Sequence, residues 1–236
     1  MYLSDILAKL SLGPLNEQAA FGTGAGSIET DKIPKLVFHI DQALVALYTR
    51  FPLRIRHLEM ETVDGVFEYP LQARYAQTSS STELHKFIKD HPADPFTGDV
   101  LKVNAIIDVR TCKELPLNKR NDKLSWFTPS YDTVRTNTPR TGDRYRIEYR
   151  ARHAALPTNP VDPSQVEIRL PAELVPALLA HVAGHVYGGM SIEGALVKSQ
   201  GHLATYENEC QLHEQGNTWD QYNEPHNTRF IAGGWI

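Results

Sequence analysis

Cysteine, long apolar runs and excess positive charge are all scarce in this sequence. Cys112 and Cys210 fit no metal-binding or redox spacing, so we interpret them as two free thiols in a reducing compartment. No stretch approaches the roughly 20 apolar residues of a membrane span, and the N-terminus lacks the basic and apolar regions of a secretory signal. The net charge of −4 argues against general coating of nucleic acid, which needs a strong basic excess. The composition predicts a soluble globular chain with no membrane partner.

Recognisable catalytic motifs are also missing. There is no Gly-x-Ser-x-Gly elbow, neither cysteine has an activated setting, and the scattered acidic residues form no acid–base pair that sequence can identify. The glycine-rich residues 22–27 lack the Lys-Ser/Thr ending of a P-loop and follow a helical pattern, not a strand. We interpret that stretch as a flexible hinge between two helices. The sequence predicts no enzymatic activity and no cofactor.

Two histidines nevertheless have the spacing of a zinc pair. His181 and His185 are four residues apart on a predicted helix, which places both imidazoles on one face. A zincin has Glu where this chain has Val182, and it needs a third ligand as well. Candidate third ligands are His202, Glu207 and His213. We favour interface or partly buried histidines, and a metal-dependent hydrolase stays open as the less favoured alternative.

Helical periodicity dominates both ends of the chain. Residues 2–10 predict a short amphipathic helix, and residues 30–51 predict a longer one with a wide apolar face, Pro34 in its first turn and Pro52 as its stop. Residues 171–188 predict a third helix, and Ser191 is expected to cap a fourth that runs to about residue 215. We expect the helices from the two ends to pack together.

The middle of the chain changes to an alternating, strand-like pattern. Residues 144–152 alternate most clearly, since Tyr145, Ile147, Tyr149 and Ala151 face one way and charged residues face the other. Weaker patterns predict strands at 53–62, 66–75, 100–109 and 166–170, with a helix at 81–90. The resulting expectation is an α+β fold in four parts: helices in 1–52, an inserted β-rich domain in 53–170, helices in 171–216 and an extended tail in 217–236.

One face of the 144–152 strand is rich in arginine. Alternation places Arg144, Arg146, Arg150 and Arg152 on the same side. Such a face can line a path for DNA phosphates, or it can be a solvated or protein-binding salt-bridge surface. We favour the second interpretation because the chain as a whole is acidic.

The final twenty residues combine large apolar side chains with Pro225, Gly233 and Gly234, so they predict no regular secondary structure. The side chains expected to bind a partner are Trp219, Tyr222, Phe230, Trp235 and Ile236. Burial of these aromatic rings does not compensate for the conformational entropy lost on ordering the segment. We therefore expect the tail to dock on another protein, the alternative being a tail packed on its own domain.

Several short motifs resemble, in their order and spacing, those of a known protein family. They are Leu3-Ser-Asp-Ile-Leu, Leu10-Ser-Leu-Gly-Pro-Leu15, Gly24-Ala-Gly-Ser-Ile28, Pro34-Lys-Leu through Arg50-Phe51, Glu114-Leu-Pro-Leu-Asn118, Tyr149-Arg-Ala-Arg-His153, His202-Leu-Ala-Thr-Tyr-Glu207 and Asn227-Thr-Arg-Phe through Gly234-Trp-Ile236. The family is the head-to-tail adaptor, or connector, proteins of short-tailed bacteriophages. The resemblance spans nearly the whole chain, and none of its motifs is catalytic.

The resemblance implies a structural virion protein that acts in the phage neck, between the capsid portal and the tail, after assembly in the host cytoplasm. Such adaptors form a closed ring, typically of twelve copies, that extends the channel for genomic DNA without reading its sequence. The implied partners are the portal protein, tail nozzle or fibre proteins and other copies of the chain. C-terminal arms of these adaptors typically reach onto the portal. Alternatives are a tail-tube or nozzle subunit and a head-completion plug.

Overall fold

Helices and antiparallel sheets both occur in the structure, which confirms the predicted α+β class. The computed structural model describes residues 1–16, 28–191 and 193–216. The chain divides into two units, one formed by Met1–Pro52 with Ala155–Ile236 and the other by Leu53–Ala154. We call the first the helical unit and the second the sheet unit. Both ends of the chain belong to the helical unit, so the sheet unit is an insertion.

Four α-helices form the described part of the helical unit, together with short 3-10 turns at Thr30–Lys32, Pro163–Gln165 and Ala172–Leu174. They are α1 (Leu3–Leu12), α2 (Ile33–Arg50), α3 (Val175–Gly188) and α4 (Ala195–Gln215). Pro34 and Pro176 lie in first turns, where a missing N–H costs little. Phe51 takes an extended conformation before Pro52 and ends α2 as the sequence predicted.

Helix α3 is the centre of the helical unit. Most of its residues are buried, and it packs against α1, α2 and α4. The contact with α4 is close because Gly184 has no side chain. A Cβ atom at Gly184 would lie 2.8 Å from the Leu203 side chain, and the Ser199 hydroxyl donates a 2.7 Å hydrogen bond to the Gly184 carbonyl. Small residues thus set the distance between these two helices.

The sheet unit contains eight strands in two sheets. They are β1 (Ile55–Glu61), β2 (Glu68–Pro70), β3 (Ile88–Lys89), β4 (Val100–Asp108), β5 (Lys113–Glu114), β6 (Phe127–Ser130), β7 (Thr133–Arg135) and β8 (Arg144–Ala151). The larger sheet has the order β3-β1-β8-β4-β5 and the smaller one β2-β7-β6, with antiparallel pairing throughout. The unit has its own apolar core, in which Tyr69, Trp126 and Tyr149 are the largest fully buried side chains.

Strand β8 follows the predicted alternation. Ile147, Tyr149 and Ala151 are buried and Tyr145 is half-buried, whereas Arg144 and Arg146 are exposed. The sheet unit has a clear beginning and end. The Arg54 carbonyl accepts a 2.8 Å hydrogen bond from the Ala151 amide, so the chain enters and leaves the unit on neighbouring strands.

Four local predictions differ from the structure. The predicted strand at 66–75 is reduced to β2, and Ala73–Tyr75 form a 3-10 turn. Residues 81–90 form no helix, because Leu84 is exposed and the Asp90 carboxylate instead accepts hydrogen bonds from the Thr78 and Phe96 backbone amides. Residues 166–170 form no strand beyond a single bridge between Glu167 and Tyr2. Ser191 does not cap α4, whose N-cap is Gly194 in a left-handed conformation.

The sheet unit ends at Ala154 and not at the expected residue 170. The segment after Ala154 makes backbone hydrogen bonds to the N-terminus of the chain, from Leu3 to the Val166 carbonyl and from Ile168 to the Met1 carbonyl. These contacts attach it to the helical unit. None of the helices in the described ranges combines the length and apolar character that a membrane crossing requires.

Candidate interaction surfaces

The predicted tail anchors Trp219, Tyr222, Phe230, Trp235 and Ile236 lie outside the described residues, as does the glycine-rich stretch 22–27. The described chain ends in α4, whose last turn is tied to the rest of the helical unit. The His213 ring lies 3.1 Å from the Glu173 carbonyl, close to the start of α3. Helix α4 is therefore the described element from which the tail departs.

Arg50, at the end of α2, binds two carboxylates of α4 at once. Its guanidinium donates two hydrogen bonds to Glu207, at 2.7 and 2.8 Å, and two to Glu214, at 2.7 and 2.9 Å. These bonds hold the pKa of Glu207 at about 2, lower the pKa of Glu214 and raise the pKa of Arg50. Paired, charge-assisted bonds of this kind fix orientation as well as distance. The C-terminal half of α4 thus has a defined position relative to α2.

The arginine face of β8 is paired with acidic residues of β1. Strand register places Glu61 opposite Arg144 and Glu59 opposite Arg146. Arg144 Nε lies 3.7 Å from Glu61 and Arg146 Nη2 lies 3.2 Å from Glu59. Cross-strand pairs of opposite charge stabilise a sheet modestly. Glu61 also binds Lys89 at 3.1 Å, so the two glutamates compensate the arginine charges in part, and this pairing supports a salt-bridge surface more than a DNA path.

The other end of the same face has a different character. Arg150 is half-buried and its Nε finds no hydrogen-bond acceptor, and the same holds for Nδ2 of Asn104 on the adjacent strand β4. The β4–β8 register shifts between Val103 and Ala105, so Asn104 lies at a bulge. Arg152 follows β8 and is exposed. The four predicted arginines therefore share one line along the strand but have unequal surroundings.

The two predicted zinc-pair histidines are joined by a third from α2. His181 and His185 have ring centroids 4.5 Å apart, and His39 stacks on His185 at 6.3 Å. Tyr206 of α4 meets the His181 ring edge-on at 4.9 Å. We call His39, His181 and His185 the histidine seam. Burial, with the neighbouring His185 and His39 charges, lowers the pKa of His181 to about 4, and burial lowers the pKa of His39.

Among the described residues, the three histidines of the seam are not placed to hold a metal ion together. The three candidates have other contacts: His202 stacks on Tyr187 at 5.4 Å, Glu207 binds Arg50 and His213 lies against Glu173. Within residues 1–16, 28–191 and 193–216, no group of three or more His, Cys, Asp and Glu side chains is placed to hold a metal ion. The buried His181 ring packs there against His185 and Tyr206.

Open grooves occur among the described residues of the helical unit. One, of about 480 Å³, lies between the end of α1 and α4 and is lined by Gly13, Pro14, Asn16, Tyr187, Lys198, Gly201, His202 and Thr205. The other, of about 220 Å³, lies beside α1 and includes Ser4, Leu7 and Asp162. Tyr187, Lys198 and His202 are the titratable side chains of the larger groove, and Asp162 is that of the smaller one.

Sequence reasoning missed the partners of the residues that it singled out. Glu59 and Glu61 lie far from β8 in the chain, and only the pairing of β1 with β8 brings them to the arginines. Their alternation with apolar residues in 55–61 was the available signal. The sequence did not predict the roles of Arg50 and His39, because no local pattern indicates that a side chain contacts another helix. Comparison with models of protein families and with curated protein sequences finds no match for this chain.

Proposed function

We propose that this chain is a structural virion protein, a head-to-tail adaptor that forms a ring between portal and tail and extends the DNA channel. The observation that carries the proposal is the sequence of the last twenty residues, which holds Trp219, Phe230 and Trp235 without a secondary-structure pattern of its own. Large aromatic side chains dominate the energetics of protein interfaces. The order of the motifs along the chain is similar to that of phage adaptors, and this similarity supports the portal as the partner that the tail binds.

The architecture is compatible with this role. An adaptor has to hold several neighbours at once, and the chain separates a helical unit from an inserted sheet unit. Arg50 binds the last described helix to α2 through Glu207 and Glu214, so the helix that precedes the tail is fixed within the helical unit. A ring of such tails also gains from multivalency, because docking of one tail raises the effective concentration of the others.

Deletion of residues 217–236 tests the proposal directly. We expect the truncated chain to keep its circular dichroism spectrum and cooperative unfolding, because the described helices and sheets lie outside the deletion. We expect it to lose co-purification with the portal protein of the same phage. The full chain carrying Trp219→Ala, Phe230→Ala and Trp235→Ala should weaken binding to a similar extent.

A matched control removes an exposed aromatic side chain that lies outside the tail. Tyr131→Ala changes an exposed side chain in the β6–β7 turn and should leave portal binding unchanged. Normal portal binding by the truncated chain would refute tail docking. Co-purification with tail proteins alone would favour a tail-tube or nozzle role instead.

A further inference from the structure

The solvent-facing side of α4 has an unusual composition. Its outward stripe consists of Val197, Gly201, Ala204, Asn208, Gln211 and Leu212, all of them exposed and none of them charged. The charged residues that flank this stripe are Glu207 and Glu214, which are bound to Arg50, the half-buried Glu209, and Lys198, whose Nζ lies over the Tyr187 ring at 5.6 Å. Solvent-facing helix stripes normally carry charged residues, whereas the centres of protein interfaces are depleted of them.

Gly201 adds a second observation at the centre of this stripe. A Cβ atom at Gly201 would meet nothing within 4 Å, so no contact inside the unit requires glycine there. Glycine inside a helix costs about 1 kcal/mol relative to alanine. Together with Ala204 it leaves a shallow depression on the helix surface, of the shape that receives a bulky side chain from another helix.

The same unit carries a complementary stripe on α2. Residues Lys35, Phe38, Gln42, Val45 and Thr49 are all exposed and follow one another at intervals of three and four. Phe38 is 56% exposed and Val45 is 41% exposed, so both project from the surface. The bulky Phe38 and Val45 side chains of α2 thus match the small Gly201 and Ala204 of α4. Apart from Lys35, neither stripe has a charge that would need a partner.

We infer that the outward stripe of α2 in one copy of this chain packs into the outward stripe of α4 in a second copy. The inference deepens the proposed function, on which it rests, by naming the contact between neighbours in the ring. Because the two stripes are different surfaces, each copy offers one of each and the contact is heterologous, which builds a ring or a filament. One helix–helix contact buries less than the roughly 800 Å² per partner of a stable interface. Pairwise association should therefore be weak and depend on concentration.

Sedimentation velocity of the full chain across a concentration series, with no portal present, tests this contact. We expect wild-type chain to associate as concentration rises, and Ala204→Glu or Phe38→Lys to move that association to at least tenfold higher concentration. Ala93→Glu places the same change at an exposed turn of the sheet unit and should behave as wild type. Circular dichroism of each variant checks that the fold is retained.

Mixing the two variants makes the test specific. In the mixture, unchanged Phe38 of one variant meets unchanged Ala204 of the other, and the introduced lysine can meet the introduced glutamate, so association should return. The inference is overturned if the mixture stays monomeric, if either single variant associates normally, or if wild-type chain stays monomeric up to several hundred micromolar. Since the portal is absent, association here together with failed portal binding would reject the adaptor role and leave the contact between copies intact.

Discussion

At the scale of single residues, Gly184 and Gly201 of the helical unit have opposite surroundings. Gly184 lies at the α3–α4 contact, where an added Cβ would come within 2.8 Å of Cγ and Cδ2 of Leu203. Gly201 faces open space, because a Cβ atom added there would have no atom within 4 Å. Glycine at position 184 is therefore required by packing, whereas glycine at position 201 only lowers the helix propensity.

Gly184→Ala should destabilise the protein. The new methyl group has to displace Leu203, and overpacking of this kind costs about 1–3 kcal/mol, of which the better helix propensity of alanine returns about 1. We expect a net loss of up to about 2 kcal/mol in the free energy of unfolding, measured by urea denaturation. Gly201→Ala is the matched control, and at low protein concentration it should leave stability unchanged or raise it. Equal effects of the two substitutions would contradict the close α3–α4 packing.

At the scale of elements, the strongest sequence patterns were the most reliable. The apolar face of α2 and the alternation of β8 each involve many residues, so local pattern and tertiary burial agree. Residues 81–90 misled because Leu84, Phe87 and Ile88 mimic a short apolar stripe, yet Leu84 is 87% exposed. Hydrogen bonds to the Asp90 side chain determine the conformation of that loop, and such bonds produce no periodic pattern in the sequence. The sequence predicted the proximity of His181 and His185 from their spacing. It did not predict His39, because that side chain comes from another helix.

The histidine seam makes the packing of α2, α3 and α4 sensitive to pH. His181 has a pKa of about 4 in the folded chain, below the ordinary value of 6.5, and the pKa of His39 is lowered too. The unfolded chain therefore binds protons first, so the stability contributed by neutral His181 is present above pH 6.5 and is lost as pH falls toward 4. The pH window from 7 to 5 isolates this effect from Glu207, whose pKa is about 2.

We expect the free energy of unfolding to fall by about 2 kcal/mol between pH 7 and pH 5 from His181 alone. Chemical denaturation at several pH values measures the slope. His181→Phe keeps a ring against Tyr206 but cannot take up a proton, so the slope should flatten. Leu84→Phe, which introduces the same ring at an exposed position of the sheet unit, is the control and should keep the wild-type slope. An unchanged slope in His181→Phe would show that the seam does not titrate on unfolding.

At the scale of the whole molecule, the chain inserts one folded unit into another. Strand β1, the first of the sheet unit, pairs along its length with β8, the last, from Ile55 opposite Arg150 to Glu61 opposite Arg144. Arg54 and Ala151 close the same ladder. Because the first and last strands are neighbours, the chain enters and leaves the sheet unit at adjacent points. The insertion therefore interrupts the helical unit at a single place.

The separated residues Leu53–Ala154 should therefore fold alone. Their length lies within the usual domain range of about 50–250 residues, and their core, around Tyr69, Trp126 and Tyr149, is made entirely within the segment. Asp99, buried at one edge, also finds its partners inside it: the Tyr149 hydroxyl at 3.0 Å and Arg56 at 3.1 Å.

We expect the isolated segment to show a β-type circular dichroism spectrum, a single cooperative unfolding transition and protection of β8 amides from exchange. Ile147→Asp, which places a charge at a fully buried position, should abolish all three, whereas Thr111→Asp at an exposed turn should not. A segment that stays unfolded while the full chain folds would mean that the helical unit supplies contacts on which the sheets depend. In that case the two units would form a single cooperative structure, and the idea of an autonomous insertion would have to be abandoned.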